Sequence, residues 1–188
     1  LWFGWGGRAA VAFSFDESPR ADAQSALAAL RQAGVAVALL SGDAPERVAR
    51  IATQLAIDDA QGGATPEHKL ERIAAAQREG HRVAMVGDGL NDAPVIARAD
   101  VSFAFAHGSA LTQSSADFIL LGARVGDVVV AHTIAKRALR VLRQNLGWAA
   151  LYNLVCVPLA LAGLFPPWAA GLGMALSSMG VLLNALRI

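Results

Sequence analysis

The sequence has a single cysteine, Cys156, among its 188 residues. One cysteine excludes an internal disulfide framework and cannot by itself build a zinc cluster. The chain also lacks an excess of either charge, since 16 Lys and Arg side chains face 15 Asp and Glu side chains. Without a basic field to attract phosphate backbones, we expect no nucleic-acid partner.

The C-terminal quarter lacks charge altogether. Residues 144–186 contain no Asp, Glu, Lys or Arg, although charged residues make up 16% of the whole chain. Apolar stretches of this length are typical of membrane helices, with a hydrophobic hairpin buried in a large soluble protein as the alternative. We predict two transmembrane helices within residues 146–188, at 146–162 and 169–186.

Basic residues flank the two predicted spans. The cations before the first span are Lys136, Arg137, Arg140 and Arg143. Arg187 follows the second span, so the positive-inside rule places both outer ends of the hairpin in the cytoplasm. We interpret residues 128–145 as a basic connecting helix whose cations lie at the lipid headgroups.

Strand-like and helix-like segments alternate through residues 1–127. Short apolar runs predict strands at 11–15, 35–40, 82–86, 101–105 and 118–121. Apolar residues at helical spacing predict helices at 22–33, 45–57 and 66–79. This alternation predicts an α/β fold, an open parallel sheet covered by helices. We expect the strands at 35–40 and 82–86 to be buried on both faces.

Two loops with polar side chains follow two of the predicted strands directly. They are Ser41-Gly42-Asp43 and Gly87-Asp88-Gly89-Leu90-Asn91-Asp92. Ligands of open α/β sheets collect at the carboxyl ends of the strands, and paired aspartates suit Mg²⁺. Lys69 adds the positive charge that phosphoryl transfer needs. Each feature alone is also common in turns or solvated helices, and their combination favours a phosphate site.

Together these motifs resemble the phosphorylation domain of P-type cation-transporting ATPases, which belong to the haloacid-dehalogenase superfamily. The resemblance rests on GDGLNDAP at 87–94, on Ser41-Gly42-Asp43, and on Pro66 with Lys69. The two predicted spans are similar to the last two transmembrane helices of the heavy-metal branch, class IB. The resemblance implies a Rossmann-like sheet, incomplete in this chain, followed by a transmembrane helical hairpin.

The resemblance also implies a role for the residues of the long loop. Asp88 matches the aspartate that ligates Mg²⁺, and Asp92 matches a second carboxylate that supports the metal and the phosphorylated group. Asn91 matches an asparagine near the phosphoryl group. Gly87 and Gly89 match the glycines that shape this loop.

Two further family positions are occupied. Lys69 matches the lysine that neutralises phosphoryl charge. The residues Ser41, Gly42 and Asp43 match a threonine-glycine-aspartate loop that holds the phosphoryl oxygens, and serine keeps the hydroxyl group.

Several parts of the family pattern do not occur in this sequence. The nucleophilic aspartate of the Asp-Lys-Thr-Gly-Thr motif, the nucleotide-binding domain, the actuator loop and the Cys-Pro-Cys helix are absent. The sequence begins at Leu1, and we expect these parts upstream in a longer polypeptide. We expect ATP to bind mainly there, and the chain alone not to turn over ATP, because covalent catalysis needs the nucleophile.

Polar residues within the predicted spans suggest the transported ion. Tyr152 and Asn153 lie in the first span, and Met174, Ser177 and Ser178 share one face of the second. A thioether is a soft ligand that suits Cu(I), although the residues alone favour packing roles. The Cu(I)-exporting members carry this pattern, which implies that Tyr152, Asn153, Met174 and Ser177 bind Cu(I). Zinc and cadmium members tend to carry aspartate at the place of Met174.

The resemblance therefore implies an ATP-driven pump that exports Cu(I) through an aspartyl-phosphate intermediate, with Mg²⁺ as cofactor. We expect it in the bacterial inner membrane with its phosphorylation domain in the cytoplasm, and a copper carrier as a partner. The alternatives are a pump for zinc or cadmium, and a membrane-anchored phosphatase-like or non-catalytic protein of the same superfamily. We interpret Cys156 as a small buried residue rather than a ligand.

Overall fold

A computed structural model gives the architecture of the chain. The structure describes residues 2–6, 8–12, 18–87, 92–108, 110–122, 124–164 and 166–188. The chain divides into two compact units, Leu1–Val129 and Val130–Ile188.

The first unit opens with an antiparallel hairpin that the sequence patterns do not reveal. Strand β1 (Trp2–Trp5) pairs with β2 (Arg8–Ala12), and Gly6 in the connection has φ 60°, a conformation that glycine adopts without strain. The predicted strand at 11–15 overlaps β2 at Val11 and Ala12, and its last three residues lie outside the described ranges.

Alternating helices and strands follow the hairpin, as the sequence predicts. In chain order they are α1 (Ala23–Gln32), β3 (Ala38–Leu40), α2 (Pro45–Gln54), β4 (Asp59–Gln61) and α3 (Pro66–Arg78). Strand β3 pairs in parallel with β4, which the sequence analysis missed. Helix α2 packs its buried residues Val48 and Ala52 inward, and Ala52 joins Leu55 and Ile57 in a core cluster with Ala23 of α1.

A three-stranded parallel sheet completes the first unit. Its elements are β5 (Ala84–Gly87), α4 (Ala93–Arg98), β6 (Val101–Phe105), α5 (Ala110–Ser115) and β7 (Phe118–Leu120), with strand order β5-β6-β7. Val95 and Ile96 of α4 are completely buried. Because α4 contacts α3, α5, β5 and β6, it anchors the chain that follows the predicted phosphate loop.

The expectation that two strands are buried on both faces is wrong for the described residues. Leu39 and Leu40 of β3 are half-buried and Ala38 is exposed, and β5 is likewise only half-buried. Strand β6 is the buried one, because it lies between β5 and β7 in the sheet and α4 and α5 also contact it. Continuous apolar sequence predicts strand here more reliably than it predicts burial.

The second unit consists of two long helices. Helix α6 runs through the unit boundary as one continuous helix, Gly126–Leu161, where the sequence predicts a connecting helix and a separate span. Helix α7 covers Pro167–Ala185. By length and hydropathy, one helix in the described part of the chain qualifies as a membrane span, and it is α7, with mean hydropathy 1.3. The predicted first span lies in the C-terminal half of α6, where Asn153 and other polar residues lower the hydropathy.

Candidate phosphoryl-transfer and metal sites

An ion pair joins two of the charged residues predicted for the phosphate site. The Lys69 Nζ atom donates a hydrogen bond to Asp92 Oδ1 at 2.7 Å. Both side chains are largely withdrawn from solvent, with 12% and 15% of their surface exposed. A charge pair of this kind holds its two members in fixed positions, because breaking it leaves an unpaired charge out of water.

Local structure explains why these two side chains meet. Helix α3 begins at Pro66 behind Thr65, whose hydroxyl accepts the backbone N–H of His68 at 3.3 Å and so caps the helix. Lys69 lies in the first turn after that cap. Asp92 is the residue from which α4 starts. Since α3 packs against α4, the two helix starts bring the lysine and the aspartate together.

The end of β5 leaves room for Asp92 because Gly87 has no side chain. A Cβ atom on Gly87 would lie 3.3 Å from Asp92 Oδ2 and 3.3 Å from the Ile96 side chain. The oxygen of Asp92 that does not contact Lys69 therefore lies beside the last residue of the strand. Hard oxygen donors at this point fit Mg²⁺, and Asp88, the other predicted ligand, follows Gly87 in the sequence.

The loop after β3 is held in shape by hydrogen bonds. The Asp43 backbone N–H donates to Ser41 Oγ at 3.2 Å, and the Ser41 N–H donates to the Gln61 carbonyl at 3.0 Å. The Ala64 N–H donates to the Ser41 carbonyl at 2.9 Å. Because Thr65 caps α3 directly after Ala64, the Ser41 loop is fixed to the helix that carries Lys69.

Two glycines that the sequence analysis missed make this packing possible. A Cβ atom on Gly62 would lie 2.6 Å from the Pro45 Cα atom, and Gly63 has φ 65°. Its N–H donates to the Asp43 carbonyl at 2.7 Å. The signal in the sequence is the Gly-Gly pair itself, since adjacent glycines mark a turn or a close backbone approach.

The structure describes five of the predicted phosphate-site residues and Gly87. It pairs Lys69 with Asp92, and backbone hydrogen bonds join Ser41 and Asp43, on either side of Gly42, to the segment that precedes α3. Asp88, Gly89 and Asn91 lie outside the described residues. Among the residues that are described, no three His, Cys, Asp or Glu side chains group as a metal site, so the proposed Mg²⁺ site depends on Asp88.

The second unit brings the predicted metal ligands into one cleft. The cleft has a volume of about 390 Å³ and lies between α6 and α7. The predicted ligands that line it are Tyr152, Asn153, Met174 and Ser177. Cys156 and Ser178 line the same cleft, and Cys156 is half-buried rather than fully buried as expected. The cleft holds two soft sulfur donors and no charged side chain.

Close helix contacts position the polar groups of the cleft. The Tyr152 hydroxyl donates to the Ala170 carbonyl at 3.5 Å, and a Cβ atom on Gly173 would lie 2.7 Å from that hydroxyl. The Trp148 Nε1 atom donates to Ser177 Oγ at 3.1 Å. Gly173 therefore gives Tyr152 the space to reach α7, which is a role that sequence spacing does not reveal.

The sequence and fold of the chain match known protein families. The family described as haloacid dehalogenase-like hydrolase matches residues 5–100. The chain belongs to this family. The matched range includes Ser41, Lys69 and Asp92. The Lys69–Asp92 ion pair and the Ser41 loop therefore lie within the region that this chain shares with the family.

The resemblance to heavy-metal P-type ATPases is also confirmed. The chain is 42% identical over 166 residues to a copper-exporting P-type ATPase of Staphylococcus aureus (strain JH9), covering 88% of this chain and 21% of the relative. It therefore spans about a fifth of the length of the curated relatives that it matches.

Solved structures agree with the sequence comparison on the fold. A zinc-transporting PIB-type ATPase matches with a TM-score of 0.86 and 30% identity, over 91% of this chain and 28% of that one. The catalytic domain of the CPx-ATPase CopB-B matches with a TM-score of 0.56 and 33% identity, over 59% of this chain and 45% of that one. The predicted α/β fold with a parallel sheet is therefore confirmed, together with one apolar helix of the predicted C-terminal pair, whereas the relatives differ in their named ion.

Proposed function

We propose that this chain is the C-terminal part of an ATP-driven pump that exports Cu(I) across the bacterial inner membrane. The observation that carries the proposal is the cleft that gathers Tyr152, Asn153, Met174 and Ser177 in the second unit. The copper-exporting relative at 42% identity supports the same ion. The remaining parts of the pump, including the nucleophilic aspartate, belong to the upstream polypeptide in this proposal.

The first unit supplies the charge for phosphoryl transfer. A transferring phosphoryl group carries negative charge on its oxygens, and catalysis depends on positioned cations. The carboxylate of Asp92 holds the Lys69 ammonium group in place at 2.7 Å before any phosphoryl group arrives. The Ser41 hydroxyl, which already accepts the Asp43 N–H, is held in a fixed position to contact a phosphoryl oxygen.

Asp88 and Asp92 are the residues that would hold Mg²⁺. The bound ion supplies positive charge that neutralises phosphoryl oxygens. Asp92 then has two functions, because one of its oxygens holds Lys69 and the other lies beside Gly87 at the strand end. Because Lys69 and Asp92 are in contact without a ligand, this part of the site is organised before the substrate binds.

The donor set of the cleft favours Cu(I) over a divalent ion. Met174 contributes a thioether, and residues 144–186 contain no carboxylate. A neutral thioether suits Cu(I), whereas Zn²⁺ is bound by thiolate, imidazole and carboxylate groups. A zinc pump is the second candidate, because the similar solved structure at 30% identity transports zinc.

Substitution of one methionine tests the ion in the full-length polypeptide that carries this chain. We expect Met174→Leu to lower Cu(I)-stimulated ATP hydrolysis strongly, because leucine keeps the volume and removes the sulfur. Met179→Leu is the matched control, since Met179 is similarly exposed on α7 and does not line the cleft. Unchanged stimulation of ATP hydrolysis by Cu(I) in Met174→Leu would contradict the assignment of Cu(I) to this cleft. Equal stimulation of the unchanged protein by Zn²⁺ and Cu(I) would contradict it as well.

The coding sequence upstream of Leu1 tests the pump itself. We expect an in-frame Asp-Lys-Thr-Gly-Thr motif and, before it, a helix with Cys-Pro-Cys. A start codon immediately before Leu1 preceded by an in-frame stop would remove the nucleophile. The function would then be that of a membrane-anchored phosphatase-like or non-catalytic protein.

A further inference from the structure

The second unit contains basic side chains but no acidic side chain. Its basic residues are Lys136, Arg137, Arg140, Arg143 and Arg187, and residues 128–188 contain no Asp or Glu. The last acidic residue of the chain is Asp127. The unit therefore has an excess of positive charge, and its electrostatic potential favours an anion from outside the unit.

Three of these cations lie on one face of α6. Lys136, Arg140 and Arg143 are separated by four and three residues, which places them on the same side of a helix. All three are exposed, and together with Leu139 and Gln144 they border an open groove of about 530 Å³. The groove combines positive charge with an apolar side chain.

Hydrogen bonds bring Arg187 to the same end of the hairpin. Asn184 Nδ2 donates to Gln144 Oε1 at 3.2 Å and to Asn145 Oδ1 at 2.8 Å. Arg187 in turn donates to Asn184 Oδ1 at 3.3 Å. The end of α7 therefore lies beside the residue that follows Arg143 in α6, although the two arginines are 44 positions apart in the sequence.

We propose that Arg140, Arg143 and Arg187 form a binding site for the headgroup of an anionic phospholipid. Guanidinium groups bind phosphate through paired hydrogen bonds, and basic residues beside membrane helices attract anionic lipids. The uncharged residues of α6 begin directly after Arg143, and the exposed indole of Trp148 follows just over one turn later. This order of cation, aromatic and apolar residues matches a membrane surface better than an acidic protein.

The site rests on the proposed membrane placement of the hairpin, and one experiment separates the two. The chain contains four tryptophans, and replacing three by phenylalanine gives variants that keep only Trp148 or only Trp168. Each variant of the full chain is reconstituted into phosphatidylcholine vesicles with a minor fraction of brominated phosphatidylglycerol or brominated phosphatidylcholine. Bromine quenches tryptophan fluorescence at short range, so the quenching reports which lipid lies beside each indole.

We expect brominated phosphatidylglycerol to quench Trp148 more strongly than brominated phosphatidylcholine, with equal quenching of Trp168 in α7. Removing each arginine lowers the attraction to an anionic surface, so Arg140→Gln with Arg143→Gln should reduce the preference by roughly fivefold or more. The control pair, Arg72→Gln with Arg78→Gln, removes the same charge from exposed positions of α3. This pair should leave the preference unchanged.

Two outcomes would overturn the site. If both lipids quench Trp148 equally while the chain inserts normally, the lipid site fails, the membrane placement stands, and an acidic protein is the partner that fits the cations of the groove. If neither lipid quenches Trp148 or Trp168, the placement and the site fail together.

Discussion

The two candidate sites of this chain use opposite physical means to hold their ligands. The phosphate site of the first unit depends on a nearly buried ion pair, Lys69 with Asp92, at 2.7 Å. The cleft of the second unit has no charged side chain and is lined by Met174, which is 66% exposed. One site is fixed by electrostatics, and the other is a neutral surface with soft donors.

This difference follows from the ligand each site is proposed to take. A phosphoryl group carries several negative charges, so a fixed cation stabilises it and must be held by a counter-charge. Cu(I) carries one charge and binds soft neutral donors, so carboxylates are unnecessary in the cleft. Charge-removing substitutions should therefore damage the first site most, whereas changes of shape or donor atom should damage the second.

The largest expected effect is the loss of Lys69. In the full-length pump, Lys69→Met should lower the rate of phosphoenzyme formation by roughly 100-fold or more, as removal of a positioned charge-stabilising donor does in other enzymes. The measurement is the rate of phosphate incorporation from labelled ATP. Arg72→Gln on the same helix is the control, because its exposed pair with Asp59 should matter little. Equal rates in both variants would refute the role of Lys69.

The next effect concerns the shape of the neutral cleft. Gly173→Ala places a methyl group 2.7 Å from the present position of the Tyr152 hydroxyl, so the ring must move. We expect the affinity for Cu(I), measured by competition with a chelator, to fall by about tenfold because a displaced ligand binds poorly. Gly180→Ala is the matched control, since nothing lies within 4 Å of a Cβ atom there. Unchanged affinity in Gly173→Ala would show that Tyr152 is not a ligand.

A smaller effect tests whether burial of charge stabilises the first unit away from the site. Asp117 accepts hydrogen bonds from the Ser102 N–H at 2.9 Å and the Ser102 hydroxyl at 2.8 Å, and so ties β6 to the start of β7. Asp117→Ala should lower the free energy of unfolding by about 1–3 kcal/mol, because the N–H and hydroxyl of the buried Ser102 lose their acceptor. Urea denaturation measures the loss. The exposed Asp58, changed to alanine, should give no comparable change.

The sequence predicted helices α1, α2 and α3 and strands β3, β5, β6 and β7 because apolar periodicity is a local property. The short helices α4 and α5 were missed. Helix α3 and strand β6 agree with the predicted ranges to within one residue. The β1-β2 hairpin and β4 escaped prediction because their short, mixed sequences become strands only through pairing with a neighbour. Burial of β3 was overestimated, since sequence shows hydrophobicity and not what covers it.

In the candidate sites, too, some residues could be predicted from the sequence and others could not. The side chains of Lys69 and Met174 show what they can contribute, a positive charge and a soft sulfur ligand. Their roles in the two sites were inferred from the family resemblance. Gly62 and Gly173 act by having no side chain, and what they accommodate is known only once the neighbouring Pro45 and Tyr152 are placed. Contacts across long sequence separations, such as Lys69 with Asp92, require the fold.

The smallest expected effect is a pH dependence in the first unit that the second unit, which has no Asp or Glu side chain, should not share. Hydrogen bonds from the Val83 N–H, Gln77 and Arg82 lower the pKa of Asp100 to about 2. Because the folded pKa lies below the unfolded value, the stabilisation is present above pH 4 and is lost as the pH falls towards 2. Asp100→Asn should therefore flatten the fall of melting temperature between pH 4 and 2. A slope identical to that of the unchanged chain would show that other carboxyl groups cause the acid sensitivity.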